Sequence, residues 1–139
     1  MLPYLQDKDL SSYDIKLRVG IKTPNSTDFH QISESNMKYL YYSVSQTIAH
    51  HTVTGCNLNT GDLLGSGTIS APEKSGFGSM VELCWGGKEV IKVGDEERKF
   101  LLDGDEVNMT GICYGDGYTI GFGDCRGKIL PAKDDSNFF

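Results

Sequence analysis

Apolar and polar residues alternate along residues 13–21, which predicts the first strand of a sheet. The apolar positions that share one face are Ile15, Leu17, Val19 and Ile21. A period of two residues is typical of a strand with one buried face. A turn at residues 23–26 follows, and a short second strand at residues 29–32 is expected to pair back on the first as a hairpin.

The apolar spacing changes to that of a helix over about residues 36–50. Apolar side chains recur there every three or four positions and form one stripe: Met37, Leu40, Tyr41, Val44 and Ile48. Ser33 or Ser35 is expected to cap this helix, and the stripe is expected to pack on a sheet. We interpret His50 and His51 as anchors of the helix end in preference to a catalytic base, because the C-terminus of a helix carries a negative partial charge.

Residues 61–85 contain polar groups that the apolar pattern does not explain. We predict a strand that ends in a glycine-rich turn at residues 65–68, then a polar loop, then a second strand at residues 80–85. Glu82 lies in that second strand between two apolar neighbours. Hydroxyl groups are expected opposite it, at Ser66, Thr68 and Ser70. A carboxylate in an apolar strand is costly to bury without a partner or a function, so we expect the functional site here.

The rest of the chain alternates short apolar runs with turns that contain glycine. The strands predicted from this pattern are at residues 89–93, 99–102, 107–114 and 118–122, the first of them forming a hairpin with the strand at 80–85. Asp62 and Asp105 each follow a glycine just ahead of an apolar run, and we interpret both as structural turn residues. Residues 1–12 are expected to be a connector and residues 133–139 a frayed tail.

Composition narrows the class of protein. The chain has 139 residues, enough for one domain, and a net charge of −6 with its charges interspersed, so nucleic acid and membrane are not expected as partners. It contains neither an apolar span of 18 residues nor the pattern of a signal peptide, which favours a cytosolic location. The four cysteines form no CxxC pair, so we expect reduced, mostly buried thiols and no zinc site.

Five runs, each with at least one glycine, have a distinctive order of residues: 50–58, 61–70, 77–83, 100–107 and 115–123. Together they resemble the C-terminal portion of the fumarylacetoacetase family, and the resemblance extends over nearly the whole chain. It implies an α+β, β-rich fold, a mixed β-sandwich roll with one packed amphipathic helix at about residues 36–50. Residues 13–132 would then be the C-terminal part of the catalytic domain.

The resemblance also implies a reaction. Family members hydrolyse a carbon-carbon bond of 4-fumarylacetoacetate, giving fumarate and acetoacetate at the end of tyrosine and phenylalanine breakdown. A histidine activates water, a glutamate orients that histidine, and a divalent cation, Ca²⁺ or Mg²⁺, holds the diketo acid substrate in a homodimeric enzyme. By position, Glu82 matches the orienting glutamate and Thr68 matches a threonine that contacts substrate. The structural alternatives are a Glu82 paired with a surface lysine and a Thr68 hydroxyl that caps its own loop.

One departure from the family matters for function. Its catalytic histidine, its metal-binding carboxylates, and its arginine, glutamine and lysine of the oxyanion hole precede the part matched here, while His50 and His51 match a histidine pair at a helix end. We therefore expect a fragment that lacks the metal ligands and is inactive alone. Two alternatives remain open: another diketone hydrolase or decarboxylase of the same superfamily, and a non-catalytic binding or dimerisation module.

Overall fold

The computed structural model describes residues 1–8 and 12–133, which form antiparallel sheets with two α-helices. The strands are β1 (Lys16–Lys22), β2 (His30–Asn36), β3 (Ile91–Val93), β4 (Glu96–Arg98), β5 (Glu106–Gly115) and β6 (Tyr118–Lys128). The helices are α1 (Val44–Thr52) and α2 (Met80–Leu83), with 3-10 turns at Pro3–Leu5, Met37–Tyr39 and Lys74–Gly76. The β-rich α+β class is confirmed.

The main sheet has four strands in the order β2-β1-β5-β6, and every neighbouring pair is antiparallel. The predicted hairpin of the first two strands is confirmed, with Ile21 opposite His30 on β2 and opposite Val107 on β5. β6 continues to Lys128 and does not end at residue 122 as predicted, because it stays paired with β5 along that strand's whole length. β3 and β4 form a separate two-stranded sheet.

The best-buried apolar side chains lie on β1, on β3 and at the end of α2. Ile21 and Cys84 are fully buried, and Leu83 and Val93 are nearly so. Ile21 therefore points inward, as the alternation in β1 predicts. Every residue of β6, by contrast, is exposed, including Tyr118, so the far edge of the sheet contributes little to the core.

The predicted helix over residues 36–50 is wrong in its boundaries. A 3-10 turn, Met37–Tyr39, comes first, and the chain then leaves helical geometry before α1 begins. The hydroxyl of Ser43 accepts the N–H of Gln46, and the side chain of Gln46 accepts the N–H of Ser43. This reciprocal capping box satisfies two backbone donors and places the helix start at residue 44.

The predicted packing of this helix on a sheet is also wrong. Val44 and Ile48 of the apolar stripe are exposed, and the buried side chain of α1 is that of Gln46. Its Nε2 donates to the carbonyl oxygen of Leu5 at 2.7 Å, and Leu5 is itself buried. The helix thus packs mainly on the N-terminal 3-10 turn. The buried amide of Gln46 needs partners for both its oxygen and its nitrogen, and the carbonyl of Leu5 in this turn is the partner of the nitrogen.

Three predicted strands do not form. The stretch before the glycine-rich turn at residues 65–68 is irregular, residues 80–85 include α2, and residues 99–102 are irregular, with β4 immediately before them. The hairpin expected between 80–85 and 89–93 does not form. The reason is local: Ser79 caps α2, and the N–H groups of Gly86 and Gly87 donate to the carbonyls of Val81 and Cys84, at 2.8 and 3.0 Å, so residues 80–85 form a helix end and no strand ladder.

The four thiols are free, as predicted, but most of them are not buried. Cys84 is buried and Cys113 is half-buried, while Cys56 and Cys125 are exposed. Cys56 follows the end of α1, and Cys125 lies on the exposed strand β6, so neither sits in a packed layer. Cys56 Sγ contacts His51, whereas no histidine contacts Cys125 among the described residues.

The predicted domain boundaries stay predictions. Most of the expected tail, residues 134–139, lies outside the described residues, as do residues 9–11 of the expected connector. Within residues 1–8 and 12–133, no helix combines the length and apolar character needed to cross a membrane.

Candidate functional site

A cavity of about 440 Å³ is bounded by the four-stranded sheet and by the glycine-rich loop at residues 66–69. Leu17 of β1, Met109 of β5 and Phe122 of β6 are among the side chains on the sheet side. Thr68 is exposed and contributes to the loop side. Part of the apolar face predicted for β1 therefore lines an open cavity, which is a suitable surface for an organic ligand with a few polar groups.

Beside this cavity, Glu82 is held by two serine hydroxyls. Ser70 Oγ donates to Glu82 Oε1 at 2.7 Å, and Ser79 Oγ donates to Glu82 Oε2, also at 2.7 Å. The carboxylate is half-buried. No Lys, Arg or His nitrogen of residues 1–8 and 12–133 lies within 4.0 Å of it. Glu82 is thus an anion bound by neutral donors alone.

The two serines are themselves fixed by the backbone. Ser79 is the N-cap of α2, and its Oγ accepts the N–H of Glu82 at 3.2 Å. Ser70 Oγ accepts the N–H of Gly78 at 3.0 Å. Because each hydroxyl accepts from a backbone N–H, its single proton is directed at the carboxylate.

The segment at residues 69–79, which carries both serines, forms a loop whose two ends approach each other closely. A Cβ on Gly78 would lie 2.7 Å from the backbone nitrogen of Ile69, so only glycine fits there. Ala71 N–H donates to the carbonyl of Gly76 at 2.8 Å, which closes the loop between the two serines. Ser33 of β2 donates to the carbonyl of Phe77 at 2.7 Å and ties the loop to the sheet. Gly78 and Ile69 also line the cavity, so the serine pair and the cavity share a wall.

These hydrogen bonds decide the charge of Glu82. The hydroxyl of Ser70, and then that of Ser79, lower the pKa of Glu82 below its ordinary value, so the side chain is ionised at neutral pH. A carboxylate has about four acceptor positions, and two are used by the serines. The remaining positions can accept from an N–H donor, and the uncompensated negative charge would stabilise that donor in its protonated form.

The structure separates the residues that the sequence placed together. Ser70 does contact Glu82, as predicted, but the hydroxyl of Ser66 donates to the carbonyl of Gly67. Thr68 lines the cavity, whereas Glu82 is not among the lining residues. The surface-lysine alternative for Glu82 is not observed in the described part of the chain.

Sequence reasoning missed the role of Ser79. The signal was present, because Ser79-Met-Val-Glu82 has the S-x-x-E spacing of a helix N-terminus. Recognising it would have replaced the predicted strand with α2 and placed the carboxylate next to the serine hydroxyl. In this case the glutamate accepts from the capping hydroxyl itself and from Ser70.

A metal site does not fit the residues described. Within 1–8 and 12–133, no three His, Cys, Asp or Glu side chains converge in a way that could hold a metal ion. We therefore assign no metal-dependent step to the side chains that the structure describes.

Comparison with known proteins finds a family and several proteins whose sequences are similar to this chain. Residues 3–130 match the model of a family described as fumarylacetoacetate (FAA) hydrolase C-terminal. The chain is 52% identical over 134 residues to the fumarylacetoacetase of Dictyostelium discoideum, 53% over 129 residues to that of Caenorhabditis elegans, and 54% over 132 residues to that of Homo sapiens. These matches cover 93–94% of this chain but only 31–32% of the relatives, so the chain spans about a third of their length.

Proposed function

Because this chain belongs to the fumarylacetoacetate (FAA) hydrolase C-terminal family, we propose that it forms one part of a fumarylacetoacetase active site. The complete site would hydrolyse 4-fumarylacetoacetate to fumarate and acetoacetate. In this proposal Glu82 orients a histidine that activates water, and Thr68 contacts the substrate. The chain matches about a third of the length of these relatives, and from that match we propose the activity of the whole enzyme.

The observation that carries the proposal is the state of Glu82. Its carboxylate is ionised, fixed by two short hydrogen bonds and free of any cationic partner within the described residues. The two serines and the position in the first turn of α2 stabilise this charge, and they leave part of the acceptor capacity of the carboxylate unused. An orienting carboxylate needs both a rigid position and remaining acceptor capacity, and Glu82 has both.

The chemistry requires such a group. Water attacks a carbonyl carbon too slowly unless a base removes its proton as the bond forms. An imidazole acting as that base becomes imidazolium, and a carboxylate on its other nitrogen keeps the ring oriented and stabilises the charge. We propose that Glu82 is this carboxylate.

None of the chain's three histidines pairs with Glu82 in the structure. His30 contacts Ser26, His50 contacts Tyr4, and His51 contacts Cys56. We therefore propose that the base comes from outside the 139 residues, as do the ligands for the Ca²⁺ or Mg²⁺ that the family resemblance implies. The homodimer expected from the same resemblance belongs to the complete protein and is part of this proposal.

A chimera tests the role of Glu82 directly. This chain would replace the 132 matched residues of human fumarylacetoacetase, to which it is 54% identical. We expect the chimera to hydrolyse fumarylacetoacetate and Glu82→Gln to lower its kcat by about a hundredfold or more, since a misoriented base loses most of its effect. Thr68→Val is expected mainly to raise KM, because it removes a hydroxyl that lines the cavity.

The control for this experiment is Glu97→Gln. Glu97 is exposed on β4 and does not line the cavity, so its loss should leave kcat unchanged. A folded chimera whose Glu82→Gln variant keeps full activity would overturn the orienting role. A folded chimera that prefers another diketo acid in a substrate panel would instead support the related-hydrolase alternative.

The isolated 139-residue chain gives an independent result. We expect no hydrolysis above background with Ca²⁺ or Mg²⁺, since the base is proposed to come from elsewhere. Turnover by the isolated chain would show that the catalytic set is complete within it and would contradict the proposal.

A further inference from the structure

A second pair of reactive side chains lies away from Glu82, at the end of α1. Cys56 Sγ lies 3.3 Å from His51 Nε2, within hydrogen-bond distance for sulfur, and both residues are exposed. The pair joins the two groups that many cysteine nucleophiles use, a thiol and a base that can take its proton.

The backbone brings the pair together by reversing at the helix end. Val53 N–H donates to the carbonyl of Ala49 at 3.0 Å and completes the last turn of α1. Gly55 N–H donates to the carbonyl of Thr52 at 2.9 Å, with a φ of 87° that favours glycine. Cys56 is thereby turned back toward the last turn of the helix, where His51 lies.

The contact itself supplies a route for the thiol proton. A cysteine reacts as a nucleophile when its proton is removed, and an imidazole nitrogen within hydrogen-bond distance of the sulfur is positioned to accept that proton.

We propose that Cys56 is a site of covalent modification by electron-poor α,β-unsaturated carbonyl compounds, with His51 as its proton acceptor. The thiol proton passes to His51 Nε2, and the sulfur attacks the β-carbon of the C=C bond. The C–S bond forms as the π electron pair moves to the carbonyl oxygen as an enolate. The enolate α-carbon then takes the proton back from the imidazolium, so the product is a neutral thioether and no oxidant or reductant is needed.

This class of ligand is favoured over disulfide formation. All four cysteines are free, and no second thiol contacts Cys56 in the described part of the chain. The proposal does not rest on the proposed hydrolysis, because Cys56 and His51 make no contact with Glu82 or its serines. The fumaryl group of 4-fumarylacetoacetate nevertheless belongs to the same class, since its C=C bond is conjugated to a carbonyl.

The chain offers its own reference thiol. Cys125 on β6 is also exposed, but no imidazole contacts it among the described residues. Cys84 is fully buried. A difference in rate between Cys56 and Cys125 therefore reports the effect of the imidazole more than that of exposure.

The test is a competition between these thiols for N-ethylmaleimide, a small member of the proposed ligand class. The folded 139-residue chain would be treated with a substoichiometric amount at pH 7, and the adducts at each cysteine followed by peptide mass spectrometry. We expect Cys56 to react about tenfold faster than Cys125. His51→Asn should lower the rate at Cys56 to about that at Cys125, and His50→Asn, which alters the neighbouring histidine, should leave it unchanged.

Unfolding supplies a second measurement that needs no variant. In concentrated urea the pair separates, and the two rates should converge. Equal rates in the folded chain would overturn the proposal, as would an advantage of Cys56 that survives His51→Asn in a chain with an unchanged far-UV circular dichroism spectrum. A rate ratio that persists in urea would assign the difference to the local sequence and would also overturn it.

Discussion

Asp105 and Glu82 are both well-fixed carboxylates, but they are stabilised in different ways. Asp105 is fully buried and accepts two hydrogen bonds from the guanidinium of Arg98, at 2.9 and 3.0 Å, and a third from the N–H of Leu102 at 2.9 Å. Glu82 is half-buried and accepts only from the hydroxyls of Ser70 and Ser79. The charge of Asp105 is paired with a cation, whereas that of Glu82 is stabilised by neutral donors within the described residues.

The two environments also act differently on the acidity of these groups. Burial by itself would raise the pKa of Asp105, but the hydrogen bonds from Arg98 and Leu102 outweigh it and leave that pKa lowered. For Glu82 the hydroxyls of Ser70 and then Ser79 are the main causes of the lowered pKa. Both groups are therefore anions at neutral pH, yet only Asp105 has a compensating charge within the described residues.

The difference distinguishes the structural role of Asp105 from the role proposed for Glu82. The guanidinium of Arg98 also pairs with Glu96, whose carboxylate accepts the hydroxyl of Thr23 at 2.6 Å, so this network joins β4 to the end of β1 and to the turn before β5. A charge matched in this way has little left to offer a ligand. A charge held by neutral donors can still act on an incoming cation or N–H donor.

The largest expected effect is on the buried pair. Asp105→Ala would leave two guanidinium N–H groups of the buried Arg98 and the N–H of Leu102 without an acceptor, although Glu96 still balances the charge of Arg98, and we expect a loss of about 3 kcal/mol or more in the free energy of unfolding. Urea denaturation followed by circular dichroism would measure it. Glu34→Ala, at the exposed pair with Arg18, is the control and should cost no more than about 1 kcal/mol. Similar losses for both variants would contradict the structural role of Asp105.

An intermediate effect on stability is expected at Ser70, which hydrogen-bonds both the backbone of Gly78 and the carboxylate of Glu82. Ser70→Ala removes a donor to Glu82 and the acceptor of the Gly78 N–H, which should cost about 1–2 kcal/mol in the free energy of unfolding. It should also raise the pKa of Glu82, measured by ¹³C NMR of the carboxyl group. Ser66→Ala is the matched control, because that hydroxyl bonds only its neighbour Gly67.

Ser79→Ala sharpens the same comparison. Loss of the α2 cap should cost about 1 kcal/mol, and the pKa of Glu82 should rise by less than in Ser70→Ala, because Ser70 is the larger cause of the shift. If neither serine variant moves the Glu82 titration, the description of Glu82 as an anion held by hydroxyls is wrong.

The smallest expected effect on stability is that of Glu82→Gln. No cation loses its partner within the described residues, so at pH 7 the free energy of unfolding should change by less than about 1 kcal/mol. Because the folded-state pKa of Glu82 is lowered, the stability that its charge contributes is present above the ordinary pKa and is lost as the pH falls through the folded one. The difference between wild type and Glu82→Gln should therefore shrink on acidification, as urea titrations at pH 7 and in acid would show. A loss of stability as large as that of Asp105→Ala would indicate that Glu82 has a structural role like that of Asp105.

Local patterns in the sequence determined the elements whose contacts are local or strictly periodic. The alternation through Ile21 predicted β1 and its inward residue, and the turn after it predicted the hairpin with β2. Glycine followed by aspartate ahead of an apolar run was enough to interpret Asp105 as structural. Even α2 was encoded by the spacing of Ser79 and Glu82, although the apolar neighbours of Glu82 suggested a strand.

Tertiary structure alone decided which face of α1 is covered and which polar groups meet. The apolar stripe of α1 predicted burial, but its buried residue is Gln46, because the N-terminal turn supplies a carbonyl for the amide. Ser70 and Glu82 are 12 residues apart, and their contact depends on a loop closed by Gly78 against Ile69. Periodicity reports the average environment of a stretch of chain, whereas a hydrogen bond between distant residues depends on how loops close in space. For that reason the sequence identified Glu82 as a charge in need of a partner, and only the fold showed that its partners are neutral.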